Sequence, residues 1–193
     1  MVHDLRALAG ADAGAAGLAR CAGHCYHRFM KIRLPSAVPA VLLSSLLLGA
    51  CNPTYNWRDY ASPDAPYRVM FPAKPASFTR TIDLDGMQVS MTMTAAEVDG
   101  TTFAVGTAEA PDEARARAAL PAMRTALIRN IGAGSGQGQA GEVDVTGTSR
   151  GTPVRLVGHF EARGKRFYQV IVLGKVNGVP PEQIEQFLTS FSL

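Results

Sequence analysis

Met87-Gln88-Val89-Ser90-Met91-Thr92-Met93-Thr94-Ala95-Ala96 alternates apolar and polar side chains over its first eight positions. A period of two places Met87, Val89, Met91, Met93 and Ala95 on one face, so the stretch reads as a strand with that face buried and the other polar. Asp85-Gly86 stands immediately before it and Asp99-Gly100 shortly after. Both are two-residue hairpin signals, because the turn that matches strand twist needs positive φ at both central positions. Phe78 to Leu84 and Thr102 to Ala108 therefore read as the flanking strands of an antiparallel meander.

Further out, Tyr67-Arg68-Val69-Met70-Phe71 alternates and stops at Pro72. Val143 to Thr148, Pro153 to Ala162 and Arg166 to Leu173 read as three more strands, the last two joined by Arg163-Gly164-Lys165. Between the two strand groups, Pro111-Asp112-Glu113 opens a long helix, with Leu120, Met123, Leu127 and Ile131 on one stripe. Pro121 is expected to kink or split this helix, since it removes a donor and crowds the preceding turn. Pro180-Pro181-Glu182 opens a second helix whose apolar face is Ile184, Phe187, Leu188 and Phe191. The pattern is that of an α+β chain with a mostly antiparallel sheet of about six to seven strands and two main helices.

The chain has 193 residues, 47% of them hydrophobic and 18% charged, which excludes a disordered or collagen-like chain. Three Cys and four His exclude a disulfide scaffold. Arg6, Arg20, Arg28, Lys31 and Arg33 against Asp4 and Asp12 account for the whole formal charge of +3. The rest of the chain balances its charges, so it offers no electrostatic case for nucleic acid.

The excess charge belongs to a leader. Met30-Lys31-Ile32-Arg33 is basic, Val38 to Leu48 is apolar, and Gly49-Ala50-Cys51 follows. This is the order of a secretory signal peptide over residues 30–50, too short and too interrupted by Pro39 to span a bilayer. Leu48-Gly49-Ala50-Cys51 resembles the lipobox of bacterial lipoproteins. That resemblance implies cleavage between Ala50 and Cys51, lipidation of the Cys51 thiol and fatty acylation of the new amino terminus. Asn52 after the Cys favours delivery to the outer membrane, facing the periplasm, by analogy with the sorting rule of enteric bacteria. Residues 1–29 fit no part of this arrangement and read as a mis-assigned extension ahead of the start at Met30. Cys21, His24, Cys25 and His27 lie within it at spacings that suit zinc, but no second pair accompanies them at finger spacing. Residues 51–66 read as a lipidated tether, with Tyr55, Trp57 and Tyr60 docking on the edge of a domain that occupies 67–193.

Within the body, nothing reads as a catalytic constellation, and no metal or cofactor site is expected. His159 sits in a strand pattern as a polar sheet-face residue. Asp83 and Asp85 flank a hairpin turn, and Asp112-Glu113 is accounted for by helix initiation. Gly136 to Gly141 matches G-x-G-x-x-G, yet a helix precedes it and a strand follows, the reverse of a dinucleotide site. Met87, Met91 and Met93, with Met70 nearby, could attract Cu(I) through their thioethers, but apolar packing accounts for them. Arg163, Lys165 and Arg166 read as a solvated hairpin tip.

Tyr67 to Pro75 (YRVMFPAKP), Arg166 to Gly174 (RFYQVIVLG) and Phe187 to Leu193 (FLTSFSL) resemble segments of PsbP/Mog1-like domains, including envelope lipoproteins of the DcrB-like kind. The resemblance covers residues 67–193 and implies an α/β/α sandwich around a central antiparallel sheet. It also implies an accessory or partner-binding role without catalytic residues, so no active-site residue is carried over. Pro121 and the glycine-rich loop depart from that pattern. The expectation is a non-catalytic envelope lipoprotein, held to a membrane by its lipid and binding an envelope protein. The alternative is a carrier of a small ligand in a pocket between sheet and helix, lined by the Met87–Met93 face.

Overall fold

The computed structural model describes residues 53–134 and 141–193. Eight strands and two helices follow in the order β1 (Arg58–Ala61), β2 (Arg68–Phe71), β3 (Ala76–Leu84), β4 (Met87–Val98), β5 (Thr101–Glu109), α1 (Glu113–Asn130), β6 (Glu142–Ser149), β7 (Thr152–Arg163), β8 (Arg166–Lys175) and α2 (Pro181–Ser190). Six strands make one sheet in the order β3-β4-β5-β8-β7-β6, every neighbouring pair antiparallel, and β1 pairs with β2 in a separate two-stranded sheet. The protein therefore has an α+β fold built on a mostly antiparallel sheet.

Turn chemistry sets the registers. Asp85 and Gly86 have φ of 52° and 85°, and Asp99 and Gly100 have 49° and 75°, the positive pair a twist-matched hairpin requires. Arg150-Gly151 closes β6 onto β7 in the same way, at 51° and 78°. The two meanders, β3-β4-β5 and β6-β7-β8, then meet along β5 and β8, which brings Val105 opposite Val170 at the centre of the sheet.

Alternation along the central strands feeds two cores. Ala104, Phe167, Ile171, Met91 and Met93 face one way, where Ala116, Ala119, Met123 and Ile128 of α1 cover them. Phe103, Val105, Tyr168, Val170 and Val172 face the other way, against Ile184 and Phe187 of α2 and Val69 and Phe71 of β2. The layers are thus α1, the six-stranded sheet, and α2 together with the β1–β2 pair.

Asp112 caps α1, its Oδ1 accepting the Arg115 N–H at 2.8 Å, and Glu113 and Arg129 complement the dipole at the two ends. The helix continues through Pro121 as one element. Pro121 and Arg117, whose carbonyl loses its partner, are both exposed, so water can satisfy that carbonyl without a split. Met123 and Ile131 of the expected stripe are buried, and the buried face is widened by Ala116, Ala119 and Ile128. Leu120 and Leu127 are partly covered, because small alanines let the first turns lie close on the sheet.

Candidate functional site

The lipobox residues Leu48, Gly49, Ala50 and Cys51 lie outside the described residues, as do Cys21 to His27 and all of the glycine-rich motif except Gly141. The described chain begins just beyond them, and its first segment is already folded. The Asn56 N–H donates to Pro72 O at 2.7 Å, and Arg58 to Ala61 pair with Arg68 to Phe71. Tyr55 stacks on Trp57 with centroids 6.3 Å apart, and both set an edge against Phe103, at 6.4 and 6.2 Å. Trp57 Nε1 donates to Gln183 Oε1 at 3.2 Å, tying the segment to α2. Residues from Tyr55 onward are thus part of the folded body, which reaches back well before Tyr67. The sequence Arg-Asp-Tyr-Ala of β1 carries no alternation that would have marked a strand; only the density of rings hinted at docking.

Met87, Met91 and Met93 share the α1 face of β4, and Met91 and Met93 line one void with Met123, while Met70 lies apart. Met91 and Met93 are buried beneath α1, Met93 Sδ accepting from Gln169 Nε2 at 3.3 Å. Met70 lies on β2, in the layer covering the opposite face of the sheet, where its N–H donates to Ser190 Oγ. Between α1 and the sheet, Arg80, Met91, Met123, Leu127 and Asn130 enclose a void of about 40 Å³. A pocket for a small organic ligand spans several hundred Å³, so this void has room for a few water molecules only.

His159 is half-buried on the α2 face, its ring edge-on to Phe191 at 5.8 Å. Burial holds its pKa below the ordinary histidine value, against the opposing pull of Glu161 and Glu142. Asp83 closes the β3–β4 turn: Oδ1 accepts the Gly86 N–H at 2.8 Å and Oδ2 accepts Gln88 Nε2 at 2.7 Å. Asp85 supplies the first positive φ of that turn. Both carboxylates have turn-forming work. Among the described residues, no three His, Cys, Asp or Glu side chains are placed to hold a metal ion.

Arg163, Lys165 and Arg166 are brought into a groove of about 590 Å³, bounded also by Glu109, Pro66, Tyr168 and Leu193. Arg163 and Arg166 are direct cross-strand partners, and Arg166 is in turn opposite Glu109. Parity places all three on the α2 side of the sheet with Tyr168. Arg166 Nη2 pairs with Glu109 Oε2 at 2.9 Å, whereas Arg163 acts on Tyr168 through its charge and Glu113 lies beside the turn at Gly164. Arg163, Gly164 and Lys165 are exposed, as a solvated hairpin tip requires, and Pro66 and Leu193 reach the same place from far along the chain. The two-residue turn after Arg163 was the legible signal, since it sets the two arginines face to face. The sequence matches no known family, no curated protein and no solved structure.

Proposed function

We propose that the protein is a membrane-anchored envelope lipoprotein whose folded domain is a non-catalytic, partner-binding module. The observation that carries this reading is Leu48-Gly49-Ala50-Cys51 directly behind a basic and then apolar leader. Several acyl chains at about 0.8 kcal/mol per buried CH₂ make such an anchor effectively permanent. Only Asn52, Pro53 and Thr54 separate Cys51 from the docked Tyr55. Four residue steps of about 3.5 Å limit the reach to about 14 Å. The domain is then held close against the bilayer and does not range freely from it. Outer-membrane placement facing the periplasm, from Asn52, is part of the same proposal. The turn-forming roles of Asp83 and Asp85 and the packing of His159 against Phe191 support a module that binds and does not turn over substrate. The carrier alternative draws no support from a void of about 40 Å³.

The test is a comparison of the full chain with Cys51→Ser in cell fractionation, followed by in-cell crosslinking. The wild-type chain is expected in the membrane fraction with a recurrent crosslinked protein. The variant is expected to leave that fraction. Equal partitioning of both would contradict the anchor, and a defined turnover abolished by alanine at His159, Asp83 or Asp85 would contradict the non-catalytic role.

A further inference from the structure

The margins of the two sheets are finished differently. At β6 the end of α1 closes the edge, the Thr148 N–H donating to Ile131 O at 2.6 Å. At β2, Arg68 and Ser192 exchange hydrogen bonds of 2.9 and 3.0 Å. β3 has no such cover among the described residues. Its nine residues pair with β4 without a bulge, and Leu84 and Met87 flank the two-residue turn as its hydrogen-bonded pair. Counting back from that pair, the N–H and C=O groups of Ser77, Thr79, Thr81 and Asp83 point away from β4, into the open margin. An edge of this length is ordinarily blunted by Lys, Pro, a bulge or a covering segment. Between Ser77 and Ile82 the only charge is Arg80, whose guanidinium turns back over the Phe78 ring, 5.5 Å from its centroid.

We propose that β3 pairs antiparallel with β3 of a second copy of this chain, about a two-fold axis at Thr79, joining two six-stranded sheets into one. The side chains of the strand select this register. Centring the pair on Arg80, which overlaps the whole strand, sets two guanidiniums directly opposite each other, a like-charge contact that disfavours it. Centring it on Thr79 sets Phe78 opposite Arg80 of the second copy on the α1 face, so each ring meets a guanidinium as it already does within one chain. On the other face Thr79 meets Thr79, and Ser77 meets Thr81. These contacts continue the hydroxyl pairs that β3 makes with β4, Ser77 Oγ with Thr94 Oγ1 and Thr79 Oγ1 with Thr92 Oγ1, both at 2.8 Å. The outward groups of Ser77, Thr79 and Thr81 then form about six main-chain hydrogen bonds across the axis. Asp83 falls opposite Pro75, so no acid faces an acid. A strand pair alone is small against the roughly 1,200–2,000 Å² of standard stable interfaces, so the dimer is concentration-dependent. It is independent of the lipid anchor and of the partner protein proposed above.

Sedimentation equilibrium of the detergent-extracted full chain tests it, with crosslinking to fix the register. The mass is expected to rise from one chain toward two as concentration rises. Thr79→Lys places two ammonium groups opposite each other and should weaken association by about tenfold or more. Thr148→Lys makes the same change on the covered β6 edge and should leave association unchanged. Both positions are exposed, and a cooperative urea transition establishes that each variant folds. Thr79→Cys should be joined efficiently by a short bismaleimide, its two Cβ atoms lying about 5 Å apart. Thr81→Cys should not, since its two copies lie about four residue steps, or about 14 Å, apart along the strands. A chain that stays monomeric at every concentration, a Thr79→Lys variant that associates normally, or stronger linkage at Thr81 than at Thr79 would each overturn the proposal. A monomer whose Thr79 and Thr81 amides resist hydrogen exchange would overturn it in favour of another segment of this chain lying on β3.

Discussion

The two faces of the six-stranded sheet are built from different materials. Of the chain's eight Phe, five Tyr and one Trp, nine gather on the α2 face: Tyr55, Trp57, Tyr60, Tyr67, Phe71, Phe103, Tyr168, Phe187 and Phe191. Apart from the stacked Tyr55 and Trp57, they meet edge-on or tilted at centroid distances such as 5.4 Å for Phe103–Phe187 and 5.5 Å for Phe71–Phe187. The α1 face is sealed mainly by thioethers, aliphatic side chains and alanines, with only Phe78, Phe160 and Phe167 among its rings, and it retains a small void. The difference follows from what each face must hold. One 18-residue helix can slide and settle over pliable methionines. By contrast, the α2 face gathers short pieces from both ends of the domain, the β1–β2 pair, the ten-residue α2 and the closing residues after it. Such pieces have little stability of their own, and rigid rings fix them at low entropic cost.

This contrast can be broken by mutation. Phe187→Ala should have the largest effect, destabilising the domain by about 3–5 kcal/mol in urea unfolding, because it removes the ring between Phe71 and Phe103. Gly147→Ala should cost about 1–3 kcal/mol. A Cβ there runs into the Ile131 carbonyl, whose hydrogen bond from the Thr148 N–H, at 2.6 Å, ties the end of α1 to the edge strand β6. Matched swaps then sharpen the comparison. Met91→Leu should cost less than about 1.5 kcal/mol, while Phe103→Leu, at a fully buried ring with three aromatic neighbours, should cost clearly more. Equal losses would mean that the two faces do not differ in rigidity.

The smallest effect concerns His159. Its pKa is depressed in the folded state, so protonation favours unfolding. Its contribution is fully present above the ordinary histidine pKa and is lost as pH falls through the lowered value. His159→Gln should therefore flatten the decline in stability between about pH 7 and about pH 5. A variant that steepened that decline would contradict the burial argument.

Strand positions were largely legible because alternation and turn residues act locally. Asp85-Gly86 and Asp99-Gly100 set the registers of β3, β4 and β5, and every one of these strands extends only a residue or two beyond its expected ends. β1 was not legible, since Arg58 to Ala61 has no alternation of its own and is a strand only through its pairing with β2. Nor was the passage of α1 through Pro121, which depends on which side of the helix faces water. The cationic cluster was visible in sequence, but the groove around it was not. Pro66, Glu109 and Leu193 reach it only through tertiary packing.

The most direct test of the account is the intact mass of a carboxy-terminally tagged chain, produced from its own gene region and extracted from membranes. The account predicts the mass of Cys51–Leu193 with its tag and acyl chains. An unlipidated mass that includes residues 1–50 would contradict the anchor and return Cys21 to His27 to consideration as a site.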